Sequence, residues 1–127
     1  MKRKKIIITG IVIFAILSAG VFAITRDLSH MKDIELQGIN LSSFVDGNYT
    51  GTFEHGRFTN TLTVHIEDNR IVGIDIDNDV WAAWVMNISD EVFDRVIRAQ
   101  DTEIDAVAGA TVTTTAYLKA IENAFTR

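Results

Sequence analysis

The 127-residue chain contains no cysteine and no proline. The missing cysteine excludes disulfides, thiolate zinc sites, iron–sulfur clusters, CxxCH haem attachment and a lipidated N-terminal Cys together. Any redox chemistry must therefore come from a cofactor held by other means. Acidic residues are missing from the first 26 positions, where Lys2, Arg3, Lys4 and Lys5 cluster. From Arg26 onward, 8 basic residues face all 17 acidic ones, a net charge of -9. A domain that acidic is repelled by a phosphate backbone, which argues against nucleic acid as a partner. The three histidines, His30, His55 and His65, have no zinc-ligand spacing, and neither HExxH nor GxxxxGK[ST] is present. Asp75-Ile76-Asp77-Asn78-Asp79 imitates the start of a calcium loop, but the sixth position is Val80 and the twelfth Met86, where Gly and Glu are needed. No Ser–His–Asp or paired-carboxylate arrangement is legible, so no catalytic residue and no metal ligand is assigned. With 47% hydrophobic and 23% charged residues, the chain is neither disordered nor of low complexity.

What is present begins with one long apolar run. Residues 6–25 carry no charge over 20 positions. As a helix they span about 30 Å, the thickness of a bilayer hydrocarbon core. The basic cluster at 1–5 favours an N-terminus on the cytoplasmic side, with the rest outside the cytoplasmic membrane. The alternative is a cleaved signal peptide ending at Val21-Phe22-Ala23, although the run exceeds the usual 7–15-residue signal core. Either reading exports the remainder. Residues 26–45, polar and without a clean period, are expected to form a stalk, and residues 46–127 the folded domain.

Within 46–127 the pattern predicts an α+β domain: a small antiparallel sheet with two packed helices, preceded by one N-terminal transmembrane helix. Residues 48–54 form the first strand, where Gly51 marks a bulge or a close backbone approach. Residues 61–67 alternate strictly, with Leu62, Val64 and Ile66 inward. Asp68-Asn69 makes a turn. Residues 71–77 follow, with Val72, Ile74 and Ile76 expected to share one face. A helix capped by Ser89 runs to about Ala99, burying Val92, Phe93, Val96 and Ile97. Glu91–Arg95 and Asp94–Arg98 are spaced as i,i+4 pairs. A short extended piece, 103–107, leads to Gly109. The last helix is expected over 113–125, with Leu118, Ile121 and Phe125 in register.

The segment with chemical character is Asp105-Ala106-Val107-Ala108-Gly109-Ala110-Thr111-Val112-Thr113-Thr114-Thr115. Gly109 lets a bulky group approach the backbone. The helix start that follows offers unpaired N–H groups and the positive end of a dipole, a setting that suits phosphate. Thr111 at its lip places a hydroxyl beside that phosphate. The site suits a noncovalent phosphate cradle or a covalent phosphoester. Thr113 and Thr114, with the N–H groups of Val112 and Thr113, are the candidates to hold the phosphate. Trp81 and Trp84 could stack on an aromatic ligand.

This segment resembles the flavinylation motif of the FMN-binding domain family. That family includes small membrane-anchored flavoprotein subunits of the sodium-translocating NADH:quinone reductase and of the Rnf complex, and small exported flavin domains of extracellular electron transfer. The likeness extends to Asp46-Gly47-Asn48-Tyr49-Thr50-Gly51, to Glu67-Asp68-Asn69-Arg70-Ile71 and to 118–125. Where the family often has Ser before the glycine, this chain has Ala108. The resemblance implies FMN joined to Thr111 by a phosphoester, delivered from FAD by a separate flavin transferase using a divalent metal. Gly109, Ala110 and Asp105 then belong to the recognised motif, with Asp105 orienting the loop or docking the transferase. Its partners would be that transferase, a membrane redox partner and the lipid around the anchor; its role would be electron relay rather than stand-alone catalysis. The net negative charge would disfavour an anionic reduced flavin and so lower its potential. The alternatives are a module holding FMN or another phosphate ligand noncovalently, and a flavin-free structural subunit of a membrane complex.

Overall fold

The computed structural model describes residues 1–80 and 87–126. The chain divides into two units, Met1–Asp33 and Ile34–Arg127. The first is a single helix, α1 (Lys2–Lys32). Its stretch Lys2–Arg26 is long and apolar enough to cross a membrane. Ile6, Phe14, Leu17 and Phe22 are all exposed, so the helix is apolar around its circumference rather than along one stripe. Thr9 and Thr25 donate their hydroxyls back to the carbonyls of Lys5 and Val21, at 2.8 and 2.9 Å. Both threonine hydroxyls of the span are thus satisfied within the helix.

Among the described residues, the second unit is a three-stranded antiparallel sheet, order β1-β2-β3, carrying two α-helices on one face. Strand β1 (Gly47–Phe53) pairs with β2 (Asn60–Glu67) in unbroken register. Strand β3 (Arg70–Asp79) follows after Asp68 and Asn69, both at positive φ (50° and 58°), the two-residue hairpin turn that matches strand twist. Leu62, Val64 and Ile66 are fully buried, as their alternation predicts. The opposite face is polar. Thr50 meets Thr63, Thr52 meets Thr61, Thr63 donates to Asp77, and the His65 ring lies between Asn48 and Asp75.

In β3 the expected parity changes. His65 pairs with Gly73 but Ile66 pairs with Ile71, so Val72 is an extra residue in a bulge. Ile71, 2% exposed, therefore joins Ile74 and Ile76 on the core side, while Val72 is 50% exposed. The Gln100 side chain completes this stretch: its Oε1 accepts from the Ile71 N–H at 2.7 Å and its Nε2 donates to the Ile71 carbonyl at 3.0 Å. A side-chain amide stands in for the missing neighbour of an edge strand.

Helix α2 (Ile88–Ala99) starts one residue before the expected cap. Asn87 is the N-cap and makes no side-chain capping bond, so Ser89 lies inside the first turn, buried. Val92, Phe93 and Val96 enter the core as expected, and Ile97 packs at its margin. Helix α3 (Thr111–Ala124) begins two residues earlier than predicted and buries Tyr117, Leu118 and Ile121. It crosses β1 with backbone against backbone at Gly51, the close approach its interior glycine signals.

The compact unit also takes in residues 34–45, expected as stalk. Leu36, Ile39 and Leu41 pack on the core margin. The buried Glu122 carboxylate accepts from the N–H groups of Gln37 and Gly38 (2.9 and 3.0 Å) and from the Thr102 hydroxyl (2.7 Å), with Lys119 at 3.2 Å. Asp101 accepts from the N–H groups of Ile39 and Thr102. The bonds from the Gln37, Gly38 and Ile39 N–H groups join partners more than sixty residues apart, beyond any local pattern.

The Tyr117 hydroxyl donates to Asp79 at 2.5 Å. Burial, then the bond to Asp79 and its charge, push the tyrosine well above its usual ionisation range. The protonated form is thus favoured by folding. Its stabilisation is complete below the unfolded value of about 10 and is lost as pH rises beyond it. Urea midpoints measured between pH 7 and 11 should fall at the alkaline end, and Tyr117→Phe should flatten that fall. An unchanged alkaline slope in the variant would exclude Tyr117 as its source.

Candidate functional site

The site is assembled where the irregular segment 103–110 enters α3. Ile104 and Val107 pack against the core margin, while Asp105, Ala106, Ala108 and Gly109 are exposed. The segment closes in a turn: the Ala110 N–H donates to the Val107 carbonyl at 2.9 Å, and Gly109 takes φ +76°. Glycine is suited to that position because a positive φ at the third residue strains any side chain. A Cβ at Gly109 would meet nothing within 4 Å, so the space above it is open.

Two clamps hold the segment. Thr114, 1% exposed, donates its hydroxyl to Ala110 O at 2.7 Å and accepts from the Val107 N–H at 3.3 Å. This hydroxyl is committed inside the protein and fixes the turn to the helix. Upstream, Arg95 Nη1 donates to the carbonyls of Asp105 (2.9 Å) and Ala106 (3.2 Å), while Nη2 binds Glu91 at 2.5 Å. The expected i,i+4 pair is therefore one arm of a three-way tie; Asp94–Arg98 forms the other expected pair.

Thr111 is the first residue of α3 and is exposed. Its carbonyl accepts from the Thr115 hydroxyl at 2.9 Å, and its own hydroxyl makes no hydrogen bond among the described residues. The N-cap is Ala110, with no side-chain cap, so the opening N–H groups of the helix are left to solvent or a ligand. Val112 and Thr113 are half-buried. Thr113 borders a small, partly open cavity of about 10 Å³ with Phe58, Asn60, Asp79, Ala116 and Tyr117, about the room of one water. An anion at this end would thus meet N–H groups and Thr111, with Thr114 shaping the turn from beneath. Trp81 and Trp84 lie outside the described residues. An open concavity of about 660 Å³, lined by Asp46, Asn48, His65, Asp68 and Gly73 among others, sits at the far end of the sheet.

Residues 55–126, more than half of the chain, match the family model of the FMN-binding domain. The chain belongs to the FMN-binding domain family. No curated protein matches it. The family match includes both clamps and the whole of α3.

The geometry fits the group that the FMN-binding domain family implies. An exposed hydroxyl free of internal partners stands at an uncapped helix start, and the glycine turn leaves open space beside it. Sequence reasoning brought Asp105, Gly109, Ala110 and Thr111–Thr114 to one place, and the structure keeps them together. It missed Arg95 as a loop anchor, because a bond to backbone carbonyls ten residues away leaves no sequence signature. Thr114 was within reach: it lies at i-4 and i-7 from Leu118 and Ile121, on the buried stripe.

Thr114→Val keeps the shape but leaves the Val107 N–H without its acceptor. The expected loss is about 1–2 kcal/mol of stability, read from the denaturant midpoint. A change below about 0.5 kcal/mol would show that the clamp is dispensable.

Proposed function

We propose that this FMN-binding domain carries FMN covalently on Thr111 and relays electrons outside the cytoplasmic membrane. The observation that carries the reading is the exposed, internally unbonded Thr111 hydroxyl at the uncapped start of α3, inside a segment that belongs to the family. In the loading step the Thr111 oxygen forms a bond to the flavin-side phosphorus of FAD. The bond from that phosphorus to the bridging oxygen breaks, AMP departs with the electron pair, and the hydroxyl proton passes to a base on a separate transferase. A threonine hydroxyl is a weak nucleophile at its own pKa, and no ionisable side chain is bonded to Thr111 among the described residues, so activation must come from the transferase and its divalent metal.

Bound FMN supplies the electron-accepting and electron-donating chemistry. This chain supplies tethering and electrostatics: the opening N–H groups of α3 face the phosphate, and the Thr114 and Arg95 clamps hold the loop. The helix Lys2–Arg26 serves as an anchor with its basic flank inside, placing the domain beyond the membrane. Electrons arrive from a membrane redox partner and leave to an extracytoplasmic acceptor.

The test is intact-mass analysis of chain co-produced with a flavin transferase, followed by denaturation. One FMN, less one water, should remain attached and fluorescent in the denatured band. Flavin that acid precipitation strips completely would replace the covalent reading with a noncovalent carrier, and a bare polypeptide would leave a structural role.

A further inference from the structure

We propose that Arg95 is a positioning residue for the acceptor loop, holding the segment that precedes Thr111 in the shape a flavin transferase engages. The proposal rests on the reading of Thr111 above and deepens it.

The motif is held from two sides that differ in kind. Downstream, Thr114 is part of α3 itself, only three residues from Thr111. Upstream, the tie comes from another element. The α2 guanidinium spans two successive carbonyls, those of Asp105 and Ala106, and is itself oriented by Glu91. Segment 103–107 belongs to no strand or helix, so it has no ladder to restrain it. Its apolar anchors, Ile104 and Val107, fix where the segment sits, and neither holds the peptide planes between them. Arg95 does that: Nη1 reaches both carbonyls while Nη2, in the same plane, is held by Glu91. The Arg95 side chain is one-third exposed and the carbonyls it binds are at the surface. Water can replace it at both carbonyls, so its removal should cost the fold little. What is lost is the fraction of time the loop spends in one shape. If a partner binds only that shape, the apparent affinity falls by that fraction, while the chemistry after binding is unchanged. Lysine offers a single point charge and cannot hold the loop carbonyls and Glu91 with one planar group.

Two measurements on the full chain test this. The first uses chain made without transferase: hydrogen exchange in the peptide covering 103–111 should be about tenfold faster in Arg95→Ala, with residues 60–67 unchanged. The second follows flavin transfer from FAD by a purified transferase: the KM for the acceptor chain should rise about tenfold, with kcat within about twofold. Arg95→Lys should fall between wild type and Arg95→Ala in both. Glu91→Gln, which leaves Arg95 in place but loosens it, should shift both in the same direction and gives a second variant should Arg95→Ala not fold. Unchanged exchange in 103–111, or faster exchange with wild-type transfer kinetics, overturns the proposal. A native chain that takes no flavin overturns the reading of Thr111 and this proposal with it. Flavin on the native chain with an unmoved KM in Arg95→Ala overturns only the role of Arg95.

Discussion

Thr111→Ala should abolish covalent flavin completely, while Thr111→Ser should still accept it. The substitution removes the hydroxyl that stands free at the start of α3. The neighbouring threonines cannot easily replace it. Thr114 is buried, with its hydroxyl engaged by Ala110 and Val107; Thr115 donates to the Thr111 carbonyl; Thr113 is half-buried and lines the small cavity beside Tyr117. Serine keeps an oxygen at the same position, so its flavin content reports the hydroxyl rather than the methyl group. Because Thr111 is exposed and makes no side-chain bond among the described residues, the thermal midpoint of either variant should stay near wild type, within about 0.5 kcal/mol of stability. Loss of flavin with retained stability separates a lost attachment point from a lost fold. In-gel fluorescence with intact mass reads the first, and thermal denaturation reads the second. A Thr111→Ala band that remains fluorescent would move the ester to another side chain.

The legible parts of the structure were those governed by short-range periodicity. Leu62, Val64 and Ile66 alternate, and Val92, Phe93 and Val96 fall at helical spacing, so their burial follows from the pattern alone. Val72 failed because one inserted residue reverses parity, and nothing in its neighbours marks the insertion. Ser89 failed because its residue type favours a cap, whereas Asp90 and Glu91 already complement the helix dipole from a first turn that opens at Ile88. The packing of residues 34–45 is illegible for a different reason. Leu36, Ile39 and Leu41 are too sparse to show a period, and the segment is held by Asp101 and Glu122, acceptors distant in the chain. At the site, the glycine and the threonines were readable as residue types with local roles. The division of labour among them was not, since it depends on which hydroxyl turns inward. The start of α3 at Thr111, two residues ahead of expectation, makes Thr111 part of the helix opening instead of a loop residue before it.

Gly51→Ala should be the most destabilising single-methyl change in the domain, at about 3 kcal/mol. A Cβ at this position would lie 2.0 Å from Ala120 O, 2.5 Å from Ala124 N and 2.9 Å from Ala124 Cα. All three atoms are backbone, so no rotamer change relieves the overlap, and α3 must lift from β1. That displacement strains the bonds seating the helix: Asn123 Nδ2 to the Thr52 carbonyl at 2.9 Å, and Asn60 Nδ2 to the Ala116 carbonyl at 3.4 Å. Thr111 and its turn ride on the same helix, so the mutation should also slow flavin loading, although Gly51 is remote from the site. Gly73→Ala is the control. Its Cβ would meet only the His65 Cδ2 at 3.4 Å, an ordinary contact in the adjacent strand pair, and the expected cost is about 1 kcal/mol or less. Urea midpoints for the two variants, measured at equal slope, give the comparison directly. The difference should approach about 2 kcal/mol, because one methyl group meets a fixed backbone and the other a side chain free to adjust. Equal midpoints would mean that α3 does not cross β1 at the distance that leaves room only for glycine.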